Sequence, residues 1–117
     1  MRHRNTKATL NKPADQRKAM VRNLLTSLFL NGKIKTTNAR AKVVASEAEK
    51  LITKVKSKED MNAIRDLKQV IFTEASSKKA LEYARSSKKV SGFTRTVKVG
   101  QRAGDNALMM QIELIQD

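Results

Sequence analysis

The chain has 117 residues, of which 39% are hydrophobic, 31% charged and 3% aromatic; this is the size of one domain with a modest core. A formal charge of +14 and a pI near 10.5 point to a polyanionic partner. The absence of cysteine excludes a disulfide framework and a thiolate zinc site, a single histidine argues against an imidazole triad or a multi-histidine metal site, and apolar runs such as Leu28–Leu30 fall far short of the about 20 residues of a membrane span.

Residues 1–12 are polar, show no apolar period and read as an extended basic arm, ahead of a single globular domain over 13–117. The start Met1-Arg2-His3-Arg4 lacks the apolar stretch of a signal peptide. Pro13 suits the first turn of a helix. Met20, Val21, Leu24, Leu25 and Leu28 then form a stripe of period 3.6, with Arg17 at its outer edge. Asn31-Gly32 reads as a left-handed cap. Lys33–Thr37 is β-branched and reads as a brief strand, with Thr37 or Asn38 capping the next helix.

That second helix carries Ala41, Val44, Ala45, Ala48, Leu51, Ile52 and Val55 at close to ideal spacing. Ser57 with Asp60 resembles a capping box and predicts a third helix, buried through Met61, Ile64, Leu67, Val70 and Ile71. Ser76 or Ser77 opens a fourth, with Ala80, Leu81 and Ala84 inward. After Lys88-Lys89 the period changes to two. Phe93, Val97 and Val99 share one side of a strand, and Leu108, Met110, Ile112 and Leu114 share one side of the next. Together they predict a β-hairpin with a long tip. The order is α-β-α-α-α-β-β, an α+β domain with a small sheet packed on helices.

The positive charge is uneven. Residues 1–42 hold eleven basic side chains against one acid, Asp15, whereas acids and bases interleave over 43–91 and balance over 92–117. No nucleotide-cradling glycine motif is present. His3 lacks an orienting partner, and Asp105 after Gly104 reads as a turn residue. The five methionines sit mostly at core-facing positions and read as packing. Too few aromatics are present for a single-strand stacking platform, so recognition should rest on phosphates, 2′-hydroxyls and shape. Four elements could supply it. They are the arm (Arg2, His3, Arg4, Asn5, Lys7, Lys12), the first helix (Arg17, Lys18, Arg22, Asn23), the strand-to-helix junction (Lys35, Thr36, Thr37, Arg40, Lys42) and the hairpin (Thr94, Arg95, Lys98, Arg102). A free nucleoid-type DNA-binding protein shares these electrostatics, and a small enzyme is the third reading.

Several blocks carry a resemblance. Ile34-Lys35-Thr36-Thr37, Arg40-Ala41-Lys42 and Glu49-Lys50-Leu51-Ile52-Thr53, closing at Lys56, resemble the signature of the bacterial large-subunit ribosomal protein L17 family. Met1-Arg2-His3-Arg4 with Leu10-Asn11-Lys12, the first-helix residues Arg17, Ala19-Met20 and Arg22-Asn23, and Gly92-Phe93-Thr94-Arg95 with Gly100, Arg102, Gly104-Asp105-Asn106-Ala107 and Ile112-Glu113-Leu114 are similar to its other blocks. Val55, Leu108, Ser91 and Gln16 depart from the pattern, and residues 57–90 show little specific likeness. The resemblance implies a non-catalytic α+β protein with a small mixed three-stranded sheet. It implies binding to large-subunit ribosomal RNA near the peptide exit tunnel, beside other large-subunit proteins, in the bacterial cytoplasm. No cofactor, metal, small-molecule substrate, membrane partner or autonomous homo-oligomer is expected.

Overall fold

A computed structural model describes residue 3 and residues 8–116. Its elements are α1 (Ala14–Asn31), β1 (Lys33–Thr37), α2 (Asn38–Lys56), α3 (Asp60–Val70), α4 (Glu74–Ser86), β2 (Thr94–Gln101) and β3 (Leu108–Leu114), the α+β order expected from the sequence. The strands lie in the order β1-β3-β2, and both pairings are antiparallel. The mixed sheet implied by the family resemblance is thereby corrected. β1 and β2 do run the same way, but β3 lies between them and no parallel pair forms among the described residues.

Spacing and local chemistry explain the elements. Leu25, Leu28 and Phe29 are the buried side of α1. Pro13 stands just ahead of its first turn, and its carbonyl accepts from the Arg17 N–H at 2.9 Å. Gly32 closes the helix at φ 82°, where a Cβ would be strained, and its N–H donates to the Leu28 carbonyl at 2.7 Å. The Gly32 carbonyl in turn accepts from Leu114 N at 3.0 Å, which joins the end of α1 to the central strand. α2 buries Ala41, Val44, Ala48, Leu51, Ile52 and Val55, as its period predicts. These pack with Phe93 and with Ile112 and Leu114 of β3 in one core. Each large side chain fully removed from water there contributes about 1.5–3 kcal/mol.

Polar ties close the ends of the helices. At the end of α2 the Lys56 ammonium donates to the carbonyls of Ser87 and Lys89 at 2.6 and 2.8 Å and lies 5.5 Å from the centre of the Phe93 ring. Tyr83 Oη is 3.0 Å from the Phe93 carbonyl and 2.6 Å from that of Ile115. Fully buried Ser76 donates to the Thr26 carbonyl at 3.0 Å, fastening α4 to α1. Among the described residues, no buried side-chain polar atom lacks a partner.

Four local expectations change. Ser57 does not open α3: it ends α2, its Oγ donating to the Lys54 carbonyl, and α3 starts at Asp60. Met61 is 67% exposed and Ile64 also lies outside, because Ala63, Leu67 and Ile71 set the buried phase of α3. The small Ala63 side chain allows close approach to α2 and α4, which a Met or Ile there would prevent. α4 begins at Glu74, capped by Thr73 Oγ1 accepting from Ser76 N, so Ser76 and Ser77 are inside the helix. Of the expected apolar side of β2, only Phe93 is buried, while Val97 and Val99 are 42% and 49% exposed. Every residue from 95 to 106 is exposed, and the register shifts between Lys98 and Gly100. The hairpin therefore runs beyond the helices, and its outer part has no core to face.

Candidate nucleic-acid interface

The basic residues of the first third of the chain fall on two sides of α1. On one side the first half of α1 and the start of α2 enclose an open groove of about 370 Å³, lined by Lys12, Gln16, Met20, Asn23 and Arg40 among others. Three expected contact residues from three separate segments thus meet: Lys12 ahead of α1, Asn23 within it, and Arg40 in the first turn of α2. A turn over Thr9–Lys12, with Leu10 and Asn11 at positive φ, places Lys12 there, and the Arg17 guanidinium donates to the Lys12 carbonyl at 3.3 Å. Gln16 and Met20 were not expected in the site; their spacing with Asn23, one α1 face at i, i+4 and i+7, is the signal that finds them.

At the strand-to-helix junction, β1 carries exposed Lys35 and α2 exposed Lys42, with half-buried Thr37 at the cap of α2. The Thr37 side chain makes no capping bond, and the first turn of α2 holds no acid. The backbone N–H groups at this helix start, with Arg40 and Lys42 beside them, favour a phosphate. Thr36 points inward at 6% exposure and is not available to a ligand. The single acid of this region, Asp15, is occupied at the start of α1 by the Gln16 N–H at 2.9 Å.

The other side of α1 carries exposed Lys18 and half-buried Arg22. Arg22 Nε donates to the Val70 carbonyl at 2.9 Å, and its guanidinium carbon lies 4.0 Å from the centre of the Phe72 ring. Arg22 is therefore set away from the groove, against the connection between α3 and α4. The arm residues Arg2, Arg4, Asn5 and Lys7 lie outside the described residues; His3 is exposed.

The hairpin is less cationic than its sequence suggests. Thr94 donates through both N–H and Oγ1 to Glu49 Oε1 of α2, at 2.7 and 2.9 Å, fixing the start of β2 to that helix. Arg95 pairs with Glu113 across the strand register at 2.7 Å. Arg102 holds Asp105 through two bonds of 3.0 and 2.6 Å. Exposed Lys98 has no such ion pair among the described residues. No cluster of His, Asp or Glu among the described residues could hold a metal ion, and no described helix is long and apolar enough to cross a membrane.

This arrangement of groove, junction and hairpin sits on a sequence with close relatives. A family model for ribosomal protein L17 matches residues 20–115. Large ribosomal subunit protein bL17 of Desulforapulum autotrophicum is 41% identical over an alignment of 126 residues, spanning 100% of this chain and 98% of the relative. The bL17 proteins of Clostridium botulinum and Desulforudis audaxviator are each 43% identical, over 91% and 87% of this chain and 95% and 92% of their own lengths. The chain belongs to the ribosomal protein L17 family. The span matched by the L17 model takes in Asn23 and Arg40 of the groove, Lys35 and Lys42 of the junction, and the whole hairpin.

One site in this L17 chain has a defined titration. The paired Arg102 guanidinium, then the Ala107 N–H, hold the Asp105 carboxyl down to about 2, from an ordinary value of 3.8. A depressed carboxyl favours the ordered tip above its ordinary range, and that contribution is lost as pH falls from about 4 towards 2. Carbon-13 NMR of the Asp105 side chain should show this low midpoint, and Arg102→Gln should return it towards the ordinary value. An unshifted midpoint in the native chain would remove the clasp from the tip.

Proposed function

We propose that this chain is a structural, non-catalytic constituent of the bacterial large ribosomal subunit. It binds folded large-subunit ribosomal RNA near the peptide exit tunnel, beside neighbouring large-subunit proteins, in the cytoplasm. Family membership supports the ribosomal assignment. The observation that carries the RNA contact is the meeting of Lys12, Asn23 and Arg40 on one groove, with exposed Lys35 and Lys42 in the adjoining strand and helix. A groove that collects two cations and an amide from three segments suits a backbone whose phosphates approach from more than one strand. Asn23, Gln16 and Thr37 add uncharged groups suited to 2′-hydroxyls. Lys98 extends the contact along the hairpin, whereas Thr94, Arg95 and Arg102 serve mainly to hold that hairpin in shape. The arm over residues 1–12 is a separate RNA-binding segment attached to the domain at 13–117.

Sedimentation of a tagged chain with ribosomal particles tests this reading. The full chain should travel with the large subunit. Removal of residues 1–12 should lower its incorporation while the helical circular-dichroism signal of the domain persists. Large subunits assembled with none of the chain aboard would overturn the assignment, and equal affinity for plain duplex DNA would favour a nucleoid protein instead.

A further inference from the structure

Phe72 is the large aromatic residue that the fold leaves open. It lies in the three-residue connection from α3 to α4, between buried Ile71 and the cap residue Thr73, yet it is 48% exposed. Its backbone is not free. Phe72 N donates to Thr26 Oγ1 at 3.2 Å, and Thr26 Oγ1 donates to the Arg22 carbonyl at 2.7 Å. The same Arg22 is anchored through Nε to the Val70 carbonyl and places its guanidinium over the Phe72 ring. Ring, guanidinium and α1 therefore form one rigid unit. If the pair served only to fasten α1 to the connection, the ring would gain most by burial. Half of it remains in water instead.

We propose that the Phe72–Arg22 pair is a seat for one unpaired base of the bound RNA. This rests on the RNA-binding reading above and adds a ligand chemistry to a site that the phosphate contacts do not use. A ring held at one edge of the fold by a fixed backbone offers its uncovered surface to a second planar ring, and the stack is tolerant of base identity. The guanidinium keeps the pair electropositive, and its Nη groups have no hydrogen-bond partner among the described residues, which leaves them for the phosphate of the same nucleotide. Exposed Lys18, one turn before Arg22 on α1, adds a second cation on that side. The nearest acid in sequence, Glu74, is drawn to Lys78 at 3.7 Å. The seat lies across α1 from the groove, so a base bound here and phosphates bound there would hold the helix between two stretches of RNA.

The chain contains no tryptophan, so Phe72→Trp places a single indole at the seat. Titration with large-subunit ribosomal RNA should quench its emission while binding stays as tight as for the native chain, since the larger ring stacks at least as well. Phe72→Leu should bind about 5- to 100-fold more weakly, the loss expected of one base–aromatic stack, with the domain still fully folded at the assay temperature by circular dichroism. Indole emission that stays constant through a completed binding curve, or native affinity in Phe72→Leu, would overturn the seat and leave the phosphate contacts standing. Equal weakening in the Leu and Trp variants would make Phe72 a matter of shape alone and would also overturn it. Failure of the native chain to bind the RNA would remove the RNA-binding reading itself, and the seat with it.

Discussion

Raising salt from about 50 to 200 mM should weaken binding of this chain to large-subunit ribosomal RNA about a thousand-fold. The figure follows from counting cations that the fold leaves available. Lys12, Lys18, Lys35, Arg40, Lys42 and Lys98 carry no ion pair among the described residues, whereas Arg95 and Arg102 are neutralised by Glu113 and Asp105. Six phosphates neutralised, at about 0.7–0.9 in log K per phosphate for each decade of salt, give a loss near this size over a fourfold change. Replacing Lys35, Arg40 and Lys42 together by Ala should reduce the slope by about 2–3. Filter binding over a salt series measures both quantities. A slope that is flat, or unmoved by the triple substitution, would place the contact elsewhere on the surface.

Phe93→Ala should cost about 3–5 kcal/mol, the range for removing a buried aromatic ring. Phe93 is fully buried at the entry to β2, and three elements converge on it. The Lys56 ammonium lies near its ring, Tyr83 Oη bonds its carbonyl, and that same carbonyl accepts from Ile115 N at 2.9 Å. Loss of the ring leaves a cavity between α2, α4 and the sheet. Calorimetry should show a melting temperature lower by more than about 10 °C. Met61→Ala, on the exposed side of α3, should change stability by no more than about 0.5 kcal/mol. Equal effects of the two substitutions would contradict the placement of the core.

Much of the architecture was legible because local chemistry and global packing agree. The period of α2 has one solution, and Asn31-Gly32 after a long helical run has one natural role. In α3 two phases compete. Met61, Ile64 and Leu67 satisfy a helical stripe, but so do Ala63, Leu67 and Ile71. A hydrophobicity ranking favours the first; the close approach of α2 and α4 selects the second. In the hairpin, alternation tells which side of β2 is apolar, not whether anything stands opposite, and Val97 and Val99 face open space.

For the interface, charge could be counted from the sequence but its partners could not. Glu49 reaches Thr94 across 45 positions and Arg22 reaches Val70 across 48, contacts that only the tertiary fold creates. Arg95 and Glu113 meet because the antiparallel register sets them opposite each other. Lys12, Asn23 and Arg40 share a groove only because a turn, a helix and a helix start are folded together. Phe72 gave no signal of its own, since a single aromatic after a buried isoleucine looks like one more core residue.

The position of β3 has a consequence for how the molecule comes into being. Residues 33–37 emerge early in synthesis, yet their only strand partner among the described residues is 109–113, in the last of the seven elements to be made. The helices can pair as they appear, but β1 must wait with its N–H and C=O groups in water for more than seventy residues. Sheet closure is therefore a late and non-local step, set by long-range contacts and slow by nature. A nascent chain halted before Leu108 would hold a helical half-structure with an unpaired strand, a species open to aggregation.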